Sequence, residues 1–469
     1  MSVTTPQGRV ISLSGLLRDS GCAPGNFIQD PEQRIEWLDL LEGSVLYSRG
    51  DELQGRSVLI AVQSQLATIA ALMELDGIAQ RVVLCPPDLQ FEHLPYVIDT
   101  AQVDGIVTDQ VMAQLGKPRS LLFSALSRSI QPRENYEREE KETEWVLMTS
   151  GTTGLPKLVA HTLGSLTAAI QPRGAMSTQV VWSTFYDIRR YGGLQILLRA
   201  ARTGASLVLP GTAESTADFL TRAASLGVTH ISGTPSHWRR ALMSPAAHQL
   251  KPKYVRLSGE AIDQAILNNL RSAYPEARIV HAFASTEAGV AFEVTDGAPG
   301  FPEDILEANP SVDMHVQDGT LRIRSAGTAS RYLGDNAPVL KNQDGFVDTN
   351  DLLELREGRY YFAGRRDGVI NVGGLKVYPE QVEAVISRHP DVQMCVVRAQ
   401  KSRITGALVV ADVVLRKDCT PIEHDESLIQ ADILQLCREQ LPAYKVPATI
   451  NIVPMLGLGG AGKVLRRNA

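Results

Sequence analysis

Residues 146–162 read VLMTSGTTGLPKLVAHT and are the most informative stretch of this chain. An apolar run leads into a segment that contains two glycines, four hydroxyl-bearing side chains and one lysine. Glycines let the backbone turn tightly so that N–H groups can approach an anion, and the hydroxyls and lysine add further donors. We therefore predict a phosphate-binding loop whose members are Thr149, Ser150, Gly151, Thr152, Thr153, Gly154 and Lys157.

Two other interpretations of this loop are weaker. A Walker A loop requires glycine directly before its lysine, and this chain has Pro156 before Lys157. A flexible surface linker is also rich in Ser, Thr and Gly. However, a linker does not require an apolar lead-in or the fixed Pro-Lys ending, so phosphate binding is the favoured interpretation.

Length and composition restrict the class of protein. At 469 residues, the chain is long enough for more than one domain. A net charge of −6 gives no basic surface for nucleic acid. Five cysteines without a C-x-x-C pair argue against a zinc site or a disulfide framework and favour a reducing, cytoplasmic location. We see no signal-peptide pattern, and charged residues interrupt the most apolar early segment, so no membrane span is expected.

Short β-branched runs alternate with helical apolar spacing through most of the chain. The predicted strands are residues 57–62, 81–85, 105–108, 206–209, 228–232, 254–257 and 278–282, and the predicted helices are residues 66–75, 217–225 and 265–273. This β-α-β alternation predicts an α/β protein with parallel sheets covered by helices. After about residue 311, alternating apolar and polar residues predict a small antiparallel β region. From Asp367 onward we expect a separate small α+β unit, with a helix that begins at Pro379.

Two later segments carry further candidate site residues. Residues 282–289 (AFASTEAG) place Phe283, Thr286 and Glu287 at the end of a predicted strand, where open α/β sheets bind ligands. An aromatic ring can stack on a base, a hydroxyl can hold a phosphate oxygen and a carboxylate can bind Mg²⁺. Residues 348–351 (DTND) are predicted to lie in a turn, where Asp351 could bind ribose hydroxyls or simply cap local N–H groups.

Two segments nearer the C-terminus add basic and glycine-rich elements. Residues 364–383 read GRRDGVINVGGLKVYPEQVE, in which Arg365 offers a planar fork for ribose or phosphate oxygens. Residues 459–467 read GGAGKVLRR and present Lys463 on a glycine-rich tip. A disordered basic tail is the alternative for that last segment.

Taken together and in this order, these segments resemble the adenylate-forming superfamily. This superfamily includes acyl- and aryl-CoA synthetases, adenylation domains of nonribosomal peptide synthetases and firefly luciferase. The matching motifs are TSGTTGLPK, STE, the block at residues 364–383, LPAYKVP at residues 441–447 and GKVLRR. Five motifs in order are far more specific than any single one.

The resemblance implies an architecture and a reaction. The fold would be a large N-terminal domain of two sheet-and-helix subdomains plus a small β-barrel (residues 1–366), followed by a small mobile α+β domain (residues 367–469). A carboxylate would attack the α-phosphate of Mg·ATP to form an acyl-adenylate and pyrophosphate, and a thiol would then displace AMP. ATP, Mg²⁺ and either coenzyme A or carrier-protein phosphopantetheine are therefore the expected cofactors.

The resemblance also assigns roles to individual residues. Thr286 would contact the α-phosphate, Glu287 would hold Mg²⁺ and Phe283 would stack on adenine. Asp351 and Arg365 would bind ribose. Asp367 would be the hinge, and Lys463 would be the catalytic lysine. The turn beside the nucleotide would consist of Ser258, Gly259 and Glu260, and the thiol tunnel would be lined by Gly373 and Gly374.

The acid pocket is expected between two of these motifs. In this family the acid is selected by residues between the phosphate loop and the STE motif, here within residues 182–195. Tyr186 occupies the histidine position of many CoA ligases, and Asp187 could read a substrate amine. Arg189 and Arg190 could pair with a second carboxylate on the substrate, or could form an ordinary salt-bridge cluster.

Two functions remain open from the sequence. One is a free-standing ligase that joins a carboxylic acid to coenzyme A, and the other is an adenylation enzyme that loads a carrier protein. Three positions depart from the family motifs, since Leu158, Ala284 and Asn350 each stand where glycine is usual. Each adds bulk near the nucleotide, but none removes a group that the chemistry needs.

Overall fold

The computed structural model describes residues 12–46, 49–109, 121–124, 130–132, 141–149, 154–171, 179–402, 406–416 and 426–457. The strands in these residues are β1 (Phe27–Gln29), β2 (Arg34–Glu36), β3 (Gly43–Ser44), β4 (Ser57–Ala61), β5 (Arg81–Leu84), β6 (Gly105–Thr108), β7 (Leu121–Ser124), β8 (Gln131–Pro132), β9 (Glu144–Thr149), β10 (Lys157–Thr162), β11 (Val181–Thr184), β12 (Ser206–Val208), β13 (His230–Gly233), β14 (Tyr254–Ser258), β15 (Arg278–Ser285), β16 (Gly289–Val294), β17 (Phe301–Pro302), β18 (Val312–Gln317), β19 (Thr320–Ser325), β20 (Arg331–Tyr332), β21 (Val347–Arg356), β22 (Arg359–Arg365), β23 (Ile370–Val372), β24 (Leu375–Val377), β25 (Val392–Ser402), β26 (Gly406–Leu415) and β27 (Thr449–Ile452). The α-helices are α1 (Leu13–Asp19), α2 (Trp37–Glu42), α3 (Gln65–Leu75), α4 (Leu94–Thr100), α5 (Leu163–Thr167), α6 (Tyr191–Thr203), α7 (Thr216–Ser225), α8 (Pro235–Leu242), α9 (Gln264–Ala273), α10 (Ile305–Ala308), α11 (Pro379–Ile386) and α12 (Glu426–Gln440).

Two large sheets form the body of the molecule. Sheet I has the strand order β20-β10-β9-β5-β4-β6-β7, and sheet II has the order β16-β15-β14-β13-β11-β12-β1-β2. Most neighbouring strands in both sheets are parallel, and the antiparallel pairs are β20–β10 and β10–β9 in sheet I and β16–β15 and β1–β2 in sheet II. The predicted α/β architecture of two sheet-and-helix units is therefore confirmed.

The core between the two sheets is built around helices α3 and α6. Every residue of α3 is buried, and Ser64 caps its first turn by accepting a hydrogen bond from the Ala67 N–H. Helix α6 ends at Gly204, whose φ of 62° suits a residue without a Cβ. Apolar side chains from α3, α6 and both sheets share one hydrophobic cluster, so the two units pack as one body.

The exchange of chain ends between the sheets reinforces this packing. Strands β1 and β2 complete one side of sheet II, where β1 pairs with β12 and β2 is the edge strand, although the chain then continues into sheet I. Conversely, β20 follows sheet II in the sequence but pairs with β10 of sheet I through the register Val159↔Tyr332. Each sheet is completed by a strand from the other half of the chain.

The predicted antiparallel β region is a sheet in the order β17-β22-β21-β19-β18. One correction concerns residues 348–351, which we predicted in a turn and which lie within strand β21. The register of β21 shifts where it meets β19, and Asn350 adopts a left-handed conformation with φ 60°. The segment is therefore part of the strand and contains a local bulge. The polar side chains hid the strand from a prediction based on turn-forming residues.

The C-terminal part has a hydrophobic core of its own. Helices α11 and α12 pack on the sheet β25-β26-β27, and every member of this cluster lies at or after Ile370. Helix α11 has Pro379 at its first position, as expected from the sequence. The hairpin β23–β24 carries Gly373 and Gly374 at its tip. Within the described residues, no helix combines the length and the apolar character that a bilayer crossing needs.

Candidate active site

Thr149, the last residue of β9, brings the phosphate-loop segment to the STE segment. Its hydroxyl lies 3.4 Å from Glu287 Oε1, across 138 positions of sequence. Thr149 is directly opposite Lys157 on β10, so both side chains leave the same face of sheet I. Gly154 has a φ of 86°, as a tight glycine turn requires. The loop residues Ser150, Gly151, Thr152 and Thr153 lie outside the described residues.

Glu287 is held by one of its two carboxylate oxygens. Oε1 accepts hydrogen bonds from the Tyr332 hydroxyl at 3.2 Å and from the Thr149 hydroxyl at 3.4 Å. Its backbone carbonyl accepts a hydrogen bond from the Ala329 N–H at 2.9 Å. Oε2 makes no hydrogen bond to any part of the chain that the structure describes. One oxygen is therefore available to a ligand while the other fixes the orientation of the side chain.

Thr286 is positioned by a histidine that sequence reasoning missed. His161 is fully buried on β10, and its Nε2 donates to the Thr286 carbonyl at 2.7 Å, while Nδ1 lies 2.9 Å from the Ser165 hydroxyl. Burial lowers the pKa of His161 to about 4, so the ring is neutral at pH 7. The signal in the sequence was a histidine inside an apolar strand, which is usually only a core residue.

The predicted ribose-binding residues come together. Asp351 and Arg365 are direct cross-strand partners in β21 and β22. Although burial opposes the charge, the carboxylates of Asp351, Asp367 and Glu287 raise the pKa of Arg365. Phe283 is half-buried and lies parallel to Phe362, with ring centroids 5.2 Å apart.

The predicted turn beside the nucleotide lies at the end of β14. The Tyr186 hydroxyl donates to the Ser258 carbonyl at 2.7 Å and lies 3.0 Å from the Ser258 hydroxyl. Gly259 has a φ of 86°, and Glu260 accepts a hydrogen bond from the Ser236 N–H in the first turn of α8. Tyr186 thus links the acid-pocket segment to this turn.

The other candidates for the acid pocket are engaged in ion pairs. Arg189 is 1% exposed, its Nη2 lies 2.6 Å from Asp187 Oδ2, and its Nη1 donates to the carbonyls of Val62 and Gln63. Arg190 pairs with Asp88. The structure therefore favours the salt-bridge interpretation of this cluster, because a substrate would have to displace existing partners to reach these groups.

The structure places a different pair of arginines below Ser258. Arg256 lies two residues earlier on β14, and Arg199 faces it from α6, with Glu293 of β16 between them. Arg256 Nε lies 3.0 Å and Arg199 Nη2 lies 3.9 Å from Glu293 Oε1. Arg256 Nη2 and Arg199 Nε are buried and have no hydrogen-bond partner among the described residues. In the sequence, the only sign of this pair was the charged Arg256 within the otherwise uncharged strand YVRLS.

The remaining candidates lie in the C-terminal part. Asp367 occupies a short 3-10 helix (Arg366–Gly368), and Arg365 Nε donates to its Oδ1 at 3.1 Å. Gly373 and Gly374 have φ values of 57° and 88° on an exposed hairpin tip, with nothing within 4 Å of the position that a Cβ would take. Lys463 lies outside the described residues.

Comparison with known protein families agrees with this arrangement. The family model of the AMP-binding enzyme matches residues 44–333, and that of the AMP-binding enzyme C-terminal domain matches residues 381–463. The chain belongs to the AMP-binding enzyme family. The predicted membership of the adenylate-forming superfamily is thus confirmed. The exact division of this AMP-binding enzyme between residues 366 and 367 stays a prediction.

Individual relatives of this AMP-binding enzyme span nearly its whole length. A 2-succinylbenzoate–CoA ligase of Salmonella typhimurium is 29% identical over 448 residues, which covers 92% of this chain and 90% of the relative. The corresponding ligase of a Bacillus cereus strain is 26% identical over 441 residues, with 88% of both chains covered. The crystal structure of a benzoate CoA ligase from Burkholderia xenovorans has the same fold, with a TM-score of 0.80 at 17% identity, and 97% of this chain and 98% of that one are covered.

Proposed function

We propose that this enzyme is an ATP-dependent carboxylate–CoA ligase that forms an acyl-adenylate and then a thioester, with release of pyrophosphate and AMP. The contact between Thr149 and Glu287 carries the proposal, since it joins the phosphate loop to the strand-end carboxylate. Adenylation needs both a triphosphate cradle and charge stabilisation at the reacting phosphate. The names of the two full-length relatives described above, both CoA ligases, support coenzyme A as the acceptor.

The donor groups around Glu287 fit a magnesium ion that accompanies ATP. Mg²⁺ prefers carboxylate and phosphate oxygens, and Glu287 offers an oxygen that no described residue occupies. When bound, the ion would supply positive charge that offsets the charge of the triphosphate. Glu287 and the Thr149 hydroxyl are the described residues that would hold it together with the nucleotide.

The chain's own residues would orient the reacting groups. The loop at residues 149–157 would cradle the β- and γ-phosphates, and Thr286, fixed by His161, would direct its hydroxyl to the α-phosphate. Asp351 and Arg365 would fix the ribose, with Phe283 against adenine. Lys463 would place its ammonium between the carboxylate and the α-phosphate, where negative charge develops as the acyl-phosphate bond forms.

The thioester step would use the C-terminal domain. Rotation of the C-terminal domain about Asp367 would remove Lys463 from the active site and bring in the exposed hairpin that carries Gly373 and Gly374. Glycines leave room for a narrow thiol such as the pantetheine arm of coenzyme A. The thiol would attack the acyl carbon, and AMP would leave.

For the acid, we infer a substrate that carries a second anionic group. Residues at alternate positions of a strand share a face, so Arg256 lies on the same face of β14 as Ser258, which meets Tyr186. The buried Arg256 and the half-buried Arg199 face the single carboxylate of Glu293, which leaves a net positive charge and two N–H groups without a partner among the described residues. Buried cations are costly unless they are paired, and a substrate carboxylate would pair them. The name 2-succinylbenzoate also denotes an acid with two carboxyl groups.

Acid-dependent exchange of pyrophosphate into ATP tests the function directly. We expect exchange with a panel of aryl and acyl dicarboxylates, and release of AMP only when coenzyme A is added. Glu287→Gln should reduce exchange strongly, because it removes the carboxylate charge from the metal site. A panel of aliphatic, aromatic and amino acids that gives neither exchange nor AMP would contradict the proposal, and AMP release with carrier proteins alone would support the alternative acceptor.

A further inference from the structure

Tyr332 stands between the two charged groups of the candidate nucleotide site. Its hydroxyl donates to Glu287 Oε1 at 3.2 Å, and the Lys157 ammonium lies 5.5 Å from the centroid of its ring. Lys157 and Glu287 form no ion pair with each other in the described residues. Tyr332 therefore contacts both groups, the carboxylate through its hydroxyl and the ammonium through its ring.

The register of sheet I explains why Tyr332 occupies this position. Tyr332 is opposite Val159, and Lys157 is two residues before Val159 on the same strand. The side chains of Thr149, Lys157 and Tyr332 consequently leave the same face, towards Glu287. A phenolic hydroxyl is a hydrogen-bond donor at neutral pH, so Tyr332 can hold Oε1 of Glu287.

A direct pair between Lys157 and Glu287 would defeat both of their proposed roles. The lysine would be withdrawn from the phosphates, and the carboxylate would lose affinity for a cation. We propose that Tyr332 is a positioning residue that prevents this pairing: its hydroxyl holds Oε1 of Glu287, its ring shields Lys157, and Oε2 stays available to the metal of Mg·ATP. The inference rests on the proposed function, since it assumes that Glu287 is the metal ligand.

The test measures how much Mg²⁺ strengthens nucleotide binding. Isothermal titration with the methylene analogue AMPPCP gives its Kd with Mg²⁺ and with EDTA, and the ratio of the two values isolates the metal contribution. Tyr332→Phe removes only the hydroxyl, so we expect the ratio to shrink about ten-fold, the effect typical of losing a hydrogen bond to a charged group. Tyr332→Leu also removes the ring and should shrink the ratio further.

Rescue distinguishes positioning from a merely structural effect. If Lys157 captures Glu287 in Tyr332→Leu, then the additional change Lys157→Met should restore part of the lost Mg²⁺ dependence, relative to Lys157→Met alone. Arg331→Ala is the matched control, because Arg331 is the neighbour of Tyr332 on β20 and pairs with Glu144 at 2.6 Å. Its ratio should equal that of the wild type, and thermal melts should show that every variant is folded.

The outcomes separate this inference from the proposed function. If the ratio of Kd values stays at the wild-type level in Tyr332→Phe but falls in Glu287→Gln, Tyr332 does not have the proposed role. That result leaves the proposed function intact. An unchanged ratio in Glu287→Gln overturns the inference through its assumption about the metal ligand. Acid-dependent pyrophosphate exchange by the wild type is measured in parallel, so a failure of the enzyme proposal is recognised independently.

Discussion

At the scale of single residues, the pair Arg199 and Arg256 makes acid selection testable. Arg199→Gln lowers the positive charge beside Glu293 while leaving Arg256 in place, and the Arg199 side chain is only 19% exposed. We expect the KM of a dicarboxylic substrate to rise about ten-fold or more, because losing a desolvated charge pair costs about 2–5 kcal/mol. The KM of the matched monocarboxylic acid should change little. Pyrophosphate exchange with both acids provides the measurement.

The control for this variant is Arg271→Gln. Arg271 lies on α9, where its guanidinium donates to the Gly297 carbonyl in an exposed position. Its substitution should leave both KM values unchanged. Equal losses for the two acids in Arg199→Gln would instead indicate that the arginine pair only stabilises the fold beneath the pocket.

The three departures from the family glycines are accommodated without disturbing the site. Leu158 is 1% exposed and packs in the core beside β5 and α4. Ala284 lies at the irregular register between β15 and β16. Asn350 adopts φ 60°, a left-handed conformation that asparagine tolerates better than most residues, and its N–H donates to Asp348 Oδ1. The added bulk thus points into the protein or into a bulge.

At the scale of elements, the short 3-10 helix Arg366–Gly368 contains Asp367, the hinge of the proposed two-step reaction. Asp367→Pro would fix φ near about −65° and remove one rotation at this hinge. We expect adenylation to survive and thioester formation to fall, because in the proposed mechanism the turn about Asp367 follows adenylation. Pyrophosphate exchange and thioester formation from a pre-made acyl-adenylate measure the two steps separately.

Lys463→Ala is the reference variant, because it should impair adenylation and spare thioester formation, the reverse of Asp367→Pro. In the proposed mechanism the charge of Lys463 is needed only while the acyl-phosphate bond forms, so adenylation should fall and thioester formation should persist. If Asp367→Pro fails at adenylation although circular dichroism shows an intact fold, Asp367 is not the hinge.

The elements themselves were largely predictable, and the contacts among them were not. The strand predicted at residues 57–62 is β4 (Ser57–Ala61), and the helix predicted at 66–75 is α3 (Gln65–Leu75), because apolar periodicity determines both. The buried side chains of Arg256, which is charged, and His161, which is neutral, lie inside strands whose other residues are mostly apolar. Their roles depend on partners far away in sequence, and local patterns carry no information about such partners.

At the scale of the whole molecule, the buried His161 makes stability depend on pH. Burial lowers its folded pKa from 6.5 to about 4, so between these values the unfolded chain binds the proton and the folded chain does not. Its contribution is complete above about pH 6.5 and is lost as the pH falls towards 4. The full loss is on the order of 3 kcal/mol, since the pKa falls by about 2.5 units and one unit corresponds to about 1.4 kcal/mol.

Thermal midpoints between pH 7.5 and pH 4.5, roughly the range over which histidines titrate, check this prediction. His161→Gln keeps an N–H donor for the Thr286 carbonyl but cannot titrate, so the fall of the midpoint on acidification should become shallower. His248→Gln, at an exposed position, should leave the slope unchanged. An identical slope in wild type and His161→Gln would show that His161 does not govern the acid response.

The exchange of edge strands between the sheets also governs how the chain can come apart. Strands β1 and β2 complete one side of sheet II and β20 is an edge strand of sheet I, so neither sheet is complete without a segment from the other half of the sequence. During synthesis, the edge of β10 that pairs with β20 would have no partner strand until residue 332 has left the ribosome. A chain truncated before that point would expose the backbone hydrogen-bonding groups of this edge to other chains. Because each half of the sequence contributes strands to the sheet of the other half, dividing the gene between them would give two fragments that fold only together, not two independent domains.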